Sequence, residues 1–242
     1  MHFPLIAFAE LDSTNSEAMR RGSAGERGPL WIMADRQTAG RGRLGRVWQG
    51  DPENLAASLL LTTDLPPAET AQIAFVAALA AGDLAAAFAP PMAVSLKWPN
   101  DVLIEGAKAC GILIESGARA DGDRWLAVGI GANLARAPRD TSYRATAIAD
   151  HGSAPSPQAA LEVLDQAFAW WLETWEAQGF EPVRQAWMAR AHGLGQPASV
   201  AMPGRTISGL IEGLDADGAL LLRGDHGTLT RITAGDVIFG VA

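Results

Sequence analysis

The twelve residues AGRGRLGRVWQG, from Ala39 to Gly50, constrain the fold of this chain more than any other stretch. They lie between two apolar, strand-like segments, LWIMAD (30–35) and NLAASLLLTT (54–63). The core of the loop, GRGRLG, matches G-x-G-x-x-G and follows a strand. A dinucleotide fold, however, needs a helix to begin at the last glycine so that its N-terminus can hold the pyrophosphate. The residues that follow, RVWQGDPEN, cannot begin one. No glycine here is followed by lysine and Ser or Thr, which removes the phosphate loop of nucleoside triphosphatases. Arginine-glycine segments that bind RNA repeat and lie in disordered tails, whereas this one occurs once, between strands. Its glycines raise the entropy lost on ordering, and Arg41, Arg43 and Arg46 repel one another until an anion arrives. The loop is therefore expected to be mobile when empty and to close over an anionic ligand.

Length and charge narrow that ligand. A chain of 242 residues suits one large domain, or a large one with a small appendage. A net charge of −8 argues against a broad grip on nucleic acid, which rests on many phosphate contacts. A positive loop on an acidic body suits a small anion. The longest apolar run, Ile73 to Gly82, is cut by Asp83 and falls short of the ~18 residues of a spanning helix, so no membrane is expected. The N-terminus lacks the basic region of a signal peptide, and one cysteine, Cys110, excludes an internal disulfide framework. A cytoplasmic protein is expected. Of the 19 basic residues 17 are arginine, leaving Lys97 and Lys108 as the lysines. Their survival in KWPNDVLIEGAK points to a site where a compact ammonium is needed and a planar guanidinium does not substitute.

Periodicity organises the rest. PLIAFAEL (4–11) reads as a strand, and DSTNSEAMRRG opens a helix, with Thr14 and Glu17 spaced as a capping box and Gly22 as its stop. Glu69 to Phe88 is an alanine-rich helix. AVSLKW is a strand, DVLIEGAKACGILIES a hairpin turning at Glu105 to Ala107, and RWLAVGIGANL a further strand. Pro157 to Gly179 is a helix with Leu161, Leu164, Phe168, Trp171 and Trp175 on one stripe, most simply core packing. Beyond HGLGQP come short strands with turn signals: ASVAM, TISGLIEGL, ALLLR and LTRITAGDVIF. The boundary belongs near Gly193 to Pro197, giving a body over 1–193 and a small β-barrel over 194–242. Cys110 reads as a small buried residue, with no histidine near it in sequence.

DSTN (12–15), QTAGRGRLGRVW (37–48), KWPNDV (97–102), GAKACGILIE (106–115) and GIGANL (129–134) resemble the signature blocks of the biotin protein ligases, in that family's order. The final strands resemble its small Src-homology-3-like domain. The resemblance implies an α+β fold: a mixed sheet packed with helices, like class II aminoacyl-tRNA synthetases and biotin/lipoate ligases, plus a C-terminal barrel. It also implies a two-step ligase. The biotin carboxylate attacks the α-phosphate of ATP, and a lysine of a biotin carboxyl carrier domain then displaces AMP. Two anions must meet, so fixed positive charge and Mg²⁺ are required.

By that resemblance Lys108 lies at the reacting centre, although alone it reads as a solvated turn lysine. Arg43 and Arg46 fold over the adenylate. Gln37, Gly40, Arg41 and Gly42 line the biotin site with Arg43. Ser13, Thr14 and Asn15 surround the ureido ring, a role compatible with helix capping. Asn100 and Asp101 lie on the ATP side, Asp101 organising Mg²⁺, where PND alone would read as a turn. Trp48 packs by the adenine, Asn133 lies near the nucleotide, Trp98 is scaffold and Lys97 ranks behind Lys108. Larger relatives carry an N-terminal helix-turn-helix domain; here the blocks begin almost at Met1, so a monofunctional ligase is expected. Leu44 stands where a further basic residue is common. The rival readings are a lipoate or octanoate ligase, which lacks this loop and KWPND, and a non-catalytic adenylate-binding regulator. Both monomers and dimers occur among similar enzymes.

Overall fold

Strands with at least one apolar row must bury it against helices, and here they do so on both faces. In the computed structural model, which describes residues 1–224 and 227–239, the first sheet contains β1 (Leu5–Leu11), β2 (Leu30–Gln37), β3 (Leu55–Thr63), β4 (Val94–Lys97), β5 (Asp101–Ile104), β6 (Ala107–Ala118) and β7 (Arg124–Ala132). Their order is β1-β2-β3-β7-β6-β5-β4. β1 and β2 are parallel and the other neighbours antiparallel, so the sheet is mixed, as expected. One face is covered by α1 (Thr14–Ser23), the other by α3 (Ile73–Phe88) and α4 (Pro157–Gln178). A single turn, α2 (Pro67–Thr70), leads into α3, and α5 (Phe180–Met188) follows α4 directly.

The stripe on α4 is core: Leu161, Leu164, Phe168, Trp171 and Trp175 are all buried, each such side chain contributing about 1.5–3 kcal/mol. The stretch 67–88 is long and apolar enough to cross a bilayer, a property the cut at Asp83 was expected to remove. Most of it is buried inside the fold, and Asp83 accepts hydrogen bonds from Trp171 Nε1 at 2.7 Å and Arg190 Nη1 at 2.5 Å.

Three local expectations are corrected. Ser13, not Thr14, caps α1, its Oγ accepting from Ser16 N at 3.4 Å, while Glu17 turns outward to Arg20 and Arg21. Gly22 does not stop the helix; it lies within it because a Cβ there would come within 2.7 Å of Trp125. Helix α5 falls in a segment that received no assignment from periodicity.

The second sheet contains β8 (Pro197–Met202), β9 (Arg205–Leu214), β10 (Leu220–Arg223), β11 (Leu229–Ile232) and β12 (Asp236–Phe239), antiparallel in the order β11-β10-β9-β8-β12. The stretch read as one strand, LTRITAGDVIF, is two, broken at Gly235, whose φ of 155° few other residues adopt. Residues 225–226 and 240–242 of the expected barrel lie outside the described residues. The two sheets share one apolar core: Phe75 packs edge-on against Phe180 and Trp187, and Val200, Ile211, Leu214 and Val237 join the same cluster. Trp98, expected as scaffold, is buried and donates Nε1–H to Gly218 O at 3.3 Å.

Candidate active site

Helix α1 covers only part of its sheet face, and the remainder is the floor of a cleft of about 800 Å³. The floor is made of small residues: Gly111 on β6, Gly129 and Gly131 on β7, and Ala56 on β3. Of the fourteen candidate residues, all but Gly40 line this cleft. Gly40 is buried beneath the loop, its carbonyl accepting from Trp48 N at 3.0 Å, and a side chain there would meet Trp48 O at 2.9 Å.

At one end Ser13, Thr14 and Asn15 project from the start of α1, all three buried. Asn15 occupies the space left by Gly129, whose missing Cβ would clash with Asn15 Oδ1. Ser58 Oγ, from β3, lies 2.6 Å from Asn15 Oδ1 and 2.8 Å from Thr14 Oγ1. Gln37 Oε1 accepts from Thr14 N at 2.8 Å. Asn15 Nδ2 donates to Glu115 Oε2 at 2.9 Å and to Leu113 O at 3.2 Å, while Arg41 Nη2 meets the same Glu115 oxygen at 2.8 Å. None of the side chains that line this end, apart from Arg41, carries a formal charge.

At the other end Lys108 meets Asp101. Strict alternation along β6 would turn Lys108 to the core with Cys110 and Ile112. The register between β5 and β6 shifts, however, from Val102↔Cys110 to Leu103↔Lys108, leaving Ala109 as the extra residue of a bulge. The bulge swings Lys108 onto the face that carries Asp101 and Gly111. Its Nζ then lies 2.6 Å from Asp101 Oδ1, and 5.2 Å and 5.9 Å from the rings of Tyr143 and Trp48. Asp101 Oδ1 is buried and has no well-directed hydrogen bond, so the ammonium is its counterion without fully satisfying it. Trp48 lies on the Gly111/Gly131 pair: a Cβ on Gly111 would come within 2.9 Å of the indole, and one on Gly131 would clash outright. Asn133, just past β7, is tied to the Lys108 strand by its N–H donating to Ala109 O at 2.8 Å, and its Nδ2 donates to Thr146 O at 3.1 Å.

The arginine-glycine loop is folded across the cleft as a miniature hairpin. Arg41 bridges Val47, and Gly42 N donates to Arg46 O at 2.7 Å. Its tip is Leu44 and Gly45, both left-handed at φ 57° and 71°, and Leu44 is 79% exposed. The arginines do not face one another unscreened, as had been expected. Arg41 pairs with Glu115, Arg43 donates to Asn100 Oδ1 at 3.1 Å and Gly235 O at 3.2 Å, and Arg46 pairs with Asp236. The second sheet thus reaches the site through Gly235 and Asp236.

Lys97 also lines the cleft, 5.7 Å from the Phe239 ring, and burial lowers its pKa. Cys110 is fully buried and burial pushes its thiol up to about 12, so it is no nucleophile. Ser58, Glu115, Tyr143 and Asp236 were not singled out from the sequence. A lone serine in an apolar strand was the one available signal for Ser58.

Comparison with known proteins agrees with this geometry. Residues 30–189 match the biotin/lipoate A/B protein ligase family and residues 193–240 the biotin protein ligase C-terminal domain. The chain is 42% identical to a biotin–[acetyl-CoA-carboxylase] ligase of Paracoccus denitrificans, covering 96% of this chain and 99% of that protein. It is 34% identical to the bifunctional ligase/repressor BirA of Bacillus subtilis, covering 86% of this chain but 66% of that protein. The biotin protein ligase of Aquifex aeolicus, solved with biotin and ATP, superposes with a TM-score of 0.79 at 28% identity over 97% of both chains.

Proposed function

This chain belongs to the biotin/lipoate A/B protein ligase family, and from that premise we infer that it is an ATP-dependent biotin ligase with a divided cleft. In the first step a carboxylate oxygen of biotin bonds to the α-phosphorus of ATP and the bond to pyrophosphate breaks. In the second, a lysine amine of a biotin carboxyl carrier domain bonds to the acyl carbon and AMP leaves. The observation that carries this reading is the joining, in one cleft, of a buried end lined by neutral polar groups, with Arg41 neutralised by Glu115, to an end bearing Lys108, Arg43 and Arg46. A neutral ureido ring needs fixed donors and acceptors. A carboxylate approaching a triphosphate needs positive charge already in place.

Lys108 holds that position through its ion pair with Asp101, which keeps the ammonium on the cleft side until the substrate oxygens take it over. Arg43 and Arg46 screen the phosphates and close the loop over the mixed anhydride, excluding water and stray amines. Trp48, seated on its two glycines, offers the adenine a flat apolar surface, with Asn133 beside it. Asp101 fits Mg²⁺: a single carboxylate suits an ion that takes its other oxygens from phosphates, and no group of three His, Cys, Asp or Glu side chains forms a protein cage among the described residues. When bound there, the ion would neutralise charge on the triphosphate.

The test is exchange of labelled pyrophosphate into ATP with biotin, lipoate or octanoate, followed by mass analysis of a carrier domain. Exchange with biotin alone and one added biotinyl group are expected. Exchange with lipoate or octanoate instead would overturn the reading, and binding of biotin and ATP without exchange would make the chain a regulator.

A further inference from the structure

The uncharged end of the cleft contains amide and hydroxyl groups that could point either way, yet its hydrogen bonds leave one arrangement. We propose that Glu115, which lies behind the lining, fixes the donor–acceptor sense of the Asn15–Ser58–Thr14 chain at that end and is a positioning residue for the ureido ring. This rests on the biotin reading above and extends it.

The chain of constraint begins at a group that can only accept. Glu115, paired with the Arg41 guanidinium at 2.8 Å, is a carboxylate with no proton to give. The Asn15 atom 2.9 Å from it must be Nδ2, a choice that Leu113 O at 3.2 Å reinforces. Oδ1 of Asn15 therefore faces Ser58, and Ser58, which has one proton, donates it to Oδ1 at 2.6 Å. The second oxygen near Ser58, Thr14 Oγ1 at 2.8 Å, is then left to donate. Thr14 has two acceptors for its proton, Ser58 Oγ and Gln37 Oε1 at 3.2 Å, and both lie inside the network. Whichever it chooses, Thr14 keeps lone pairs for the cleft. Gln37 is oriented independently: the Thr14 backbone N–H can only donate, so the atom 2.8 Å from it is Oε1. Gln37 Nε2, which makes no hydrogen bond among the described residues, is the donor that remains.

The end therefore presents an acceptor at Thr14 and a donor at Gln37 to a ring that carries N–H donors and a carbonyl acceptor. Turned the other way, Asn15 would set its oxygen against the Glu115 carboxylate and Leu113 O, and Ser58 and Thr14 would lose their fixed sense. Burial makes this polarity costly to reverse, because Thr14, Asn15 and Ser58 are almost wholly removed from solvent. Glu115 acts through Asn15 and Ser58 without reaching the cleft.

The experiment compares wild type with Glu115→Gln, Asn15→Asp and the double exchange, measuring KM for biotin and for ATP by biotin-dependent pyrophosphate exchange. Glutamine can meet Asn15 with either end of its amide, so Glu115→Gln should raise KM for biotin about tenfold, the worth of one hydrogen bond to a charged group. KM for ATP and kcat should stay within about twofold, since one interaction energy is lost at one end only. Asn15→Asp sets two carboxylates against each other and should be worse. The double exchange restores a donor at 115 and an acceptor facing Ser58 but leaves an oxygen against Leu113 O, so it should recover part of the loss seen in Asn15→Asp. An unchanged KM for biotin in Glu115→Gln would overturn the proposal. So would equal rises for biotin and ATP with no recovery in the double exchange, which is the signature of a merely structural residue. Absence of exchange in wild type would instead remove the biotin reading itself.

Discussion

The two ends of the cleft solve the problem of holding a ligand in opposite ways. At the Ser13–Asn15 end the three residues are 2–4% exposed, and Thr14 and Asn15 are tied into a network with Ser58 and Gln37. At the Lys108 end the charged groups stay wetter, from 17% exposure at Lys108 to 53% at Arg46, and each rests on a partner it can leave. A buried network is rigid because an unmade bond costs about 1–3 kcal/mol. An exposed ion pair is worth only ~0–1 kcal/mol, so Asp236 holds Arg46 in place at little cost to exchange, whereas the less exposed Lys108–Asp101 pair gives way only to another anion. The neutral end is set when the chain folds, and the charged end is completed by the substrates.

Lys108→Met tests this division most severely. Losing the ammonium at the reacting centre should lower adenylation by about 10²–10³, the cost of removing one preorganised charge contact. Biotin binding by titration calorimetry should weaken far less, because the neutral end is untouched. If binding disappears with activity, the two ends are one unit and the comparison fails.

Arg43→Gly removes the bonds to Asn100 and Gly235 O and, on the proposed function, one contact to the phosphates. At roughly 1.5–3 kcal/mol for a charge-assisted contact, release of the adenylate should speed by about one to two powers of ten. The readout is biotin on bystander proteins such as serum albumin, which wild type should leave unlabelled. A mutant that forms adenylate but labels no bystander would show that the loop is not a lid.

Ser58→Ala addresses the neutral end. Thr14 and Asn15 would each lose a partner, so thermal unfolding should report a loss of about 1–3 kcal/mol. KM for biotin should rise about tenfold while KM for ATP holds. A rise confined to ATP would reverse the assignment of the ends.

The smallest effect is expected from Asp12, which braces the start of α1 through Ser13 N at 2.7 Å and a two-pronged bond to Arg20. The Arg20 guanidinium lowers its pKa from 3.8 to about 2. The unfolded chain then binds the proton more readily than the folded one, so this contribution is full above about pH 4 and lost as pH falls through 2. Tm should drop more steeply between pH 4 and 2 in wild type than in Asp12→Asn, and parallel curves would remove Asp12 from the account.

Much of the site was legible because its chemistry is clustered along the chain. The arginine-glycine loop and KWPND show their residue types within a few positions, and the Glu105–Gly106 turn and the α4 stripe follow from local pattern. Ser58 and Glu115 were not legible, since a serine in an apolar strand and a glutamate at a strand's end acquire meaning only from partners far away in the chain. The arginines misled for the same reason: their like charges are adjacent in sequence, while Glu115 and Asp236, which screen them, are distant. The capping box erred because Thr14 fits the spacing but is drawn inward by Gln37 and Ser58.

By itself the sequence determined most of the strands and the long helices, and it set two lysines and the loop arginines within short stretches of the chain. These are properties of neighbours in the chain, governed by periodicity and backbone preference. The tertiary structure alone decided that Lys108 faces the cleft, since one extra residue at Ala109 reverses the face of everything before it in β6. It alone decided that the second sheet shares the core of the first and lends Asp236 to the loop. Such outcomes depend on register and docking between segments far apart, and no local pattern encodes the distance between them.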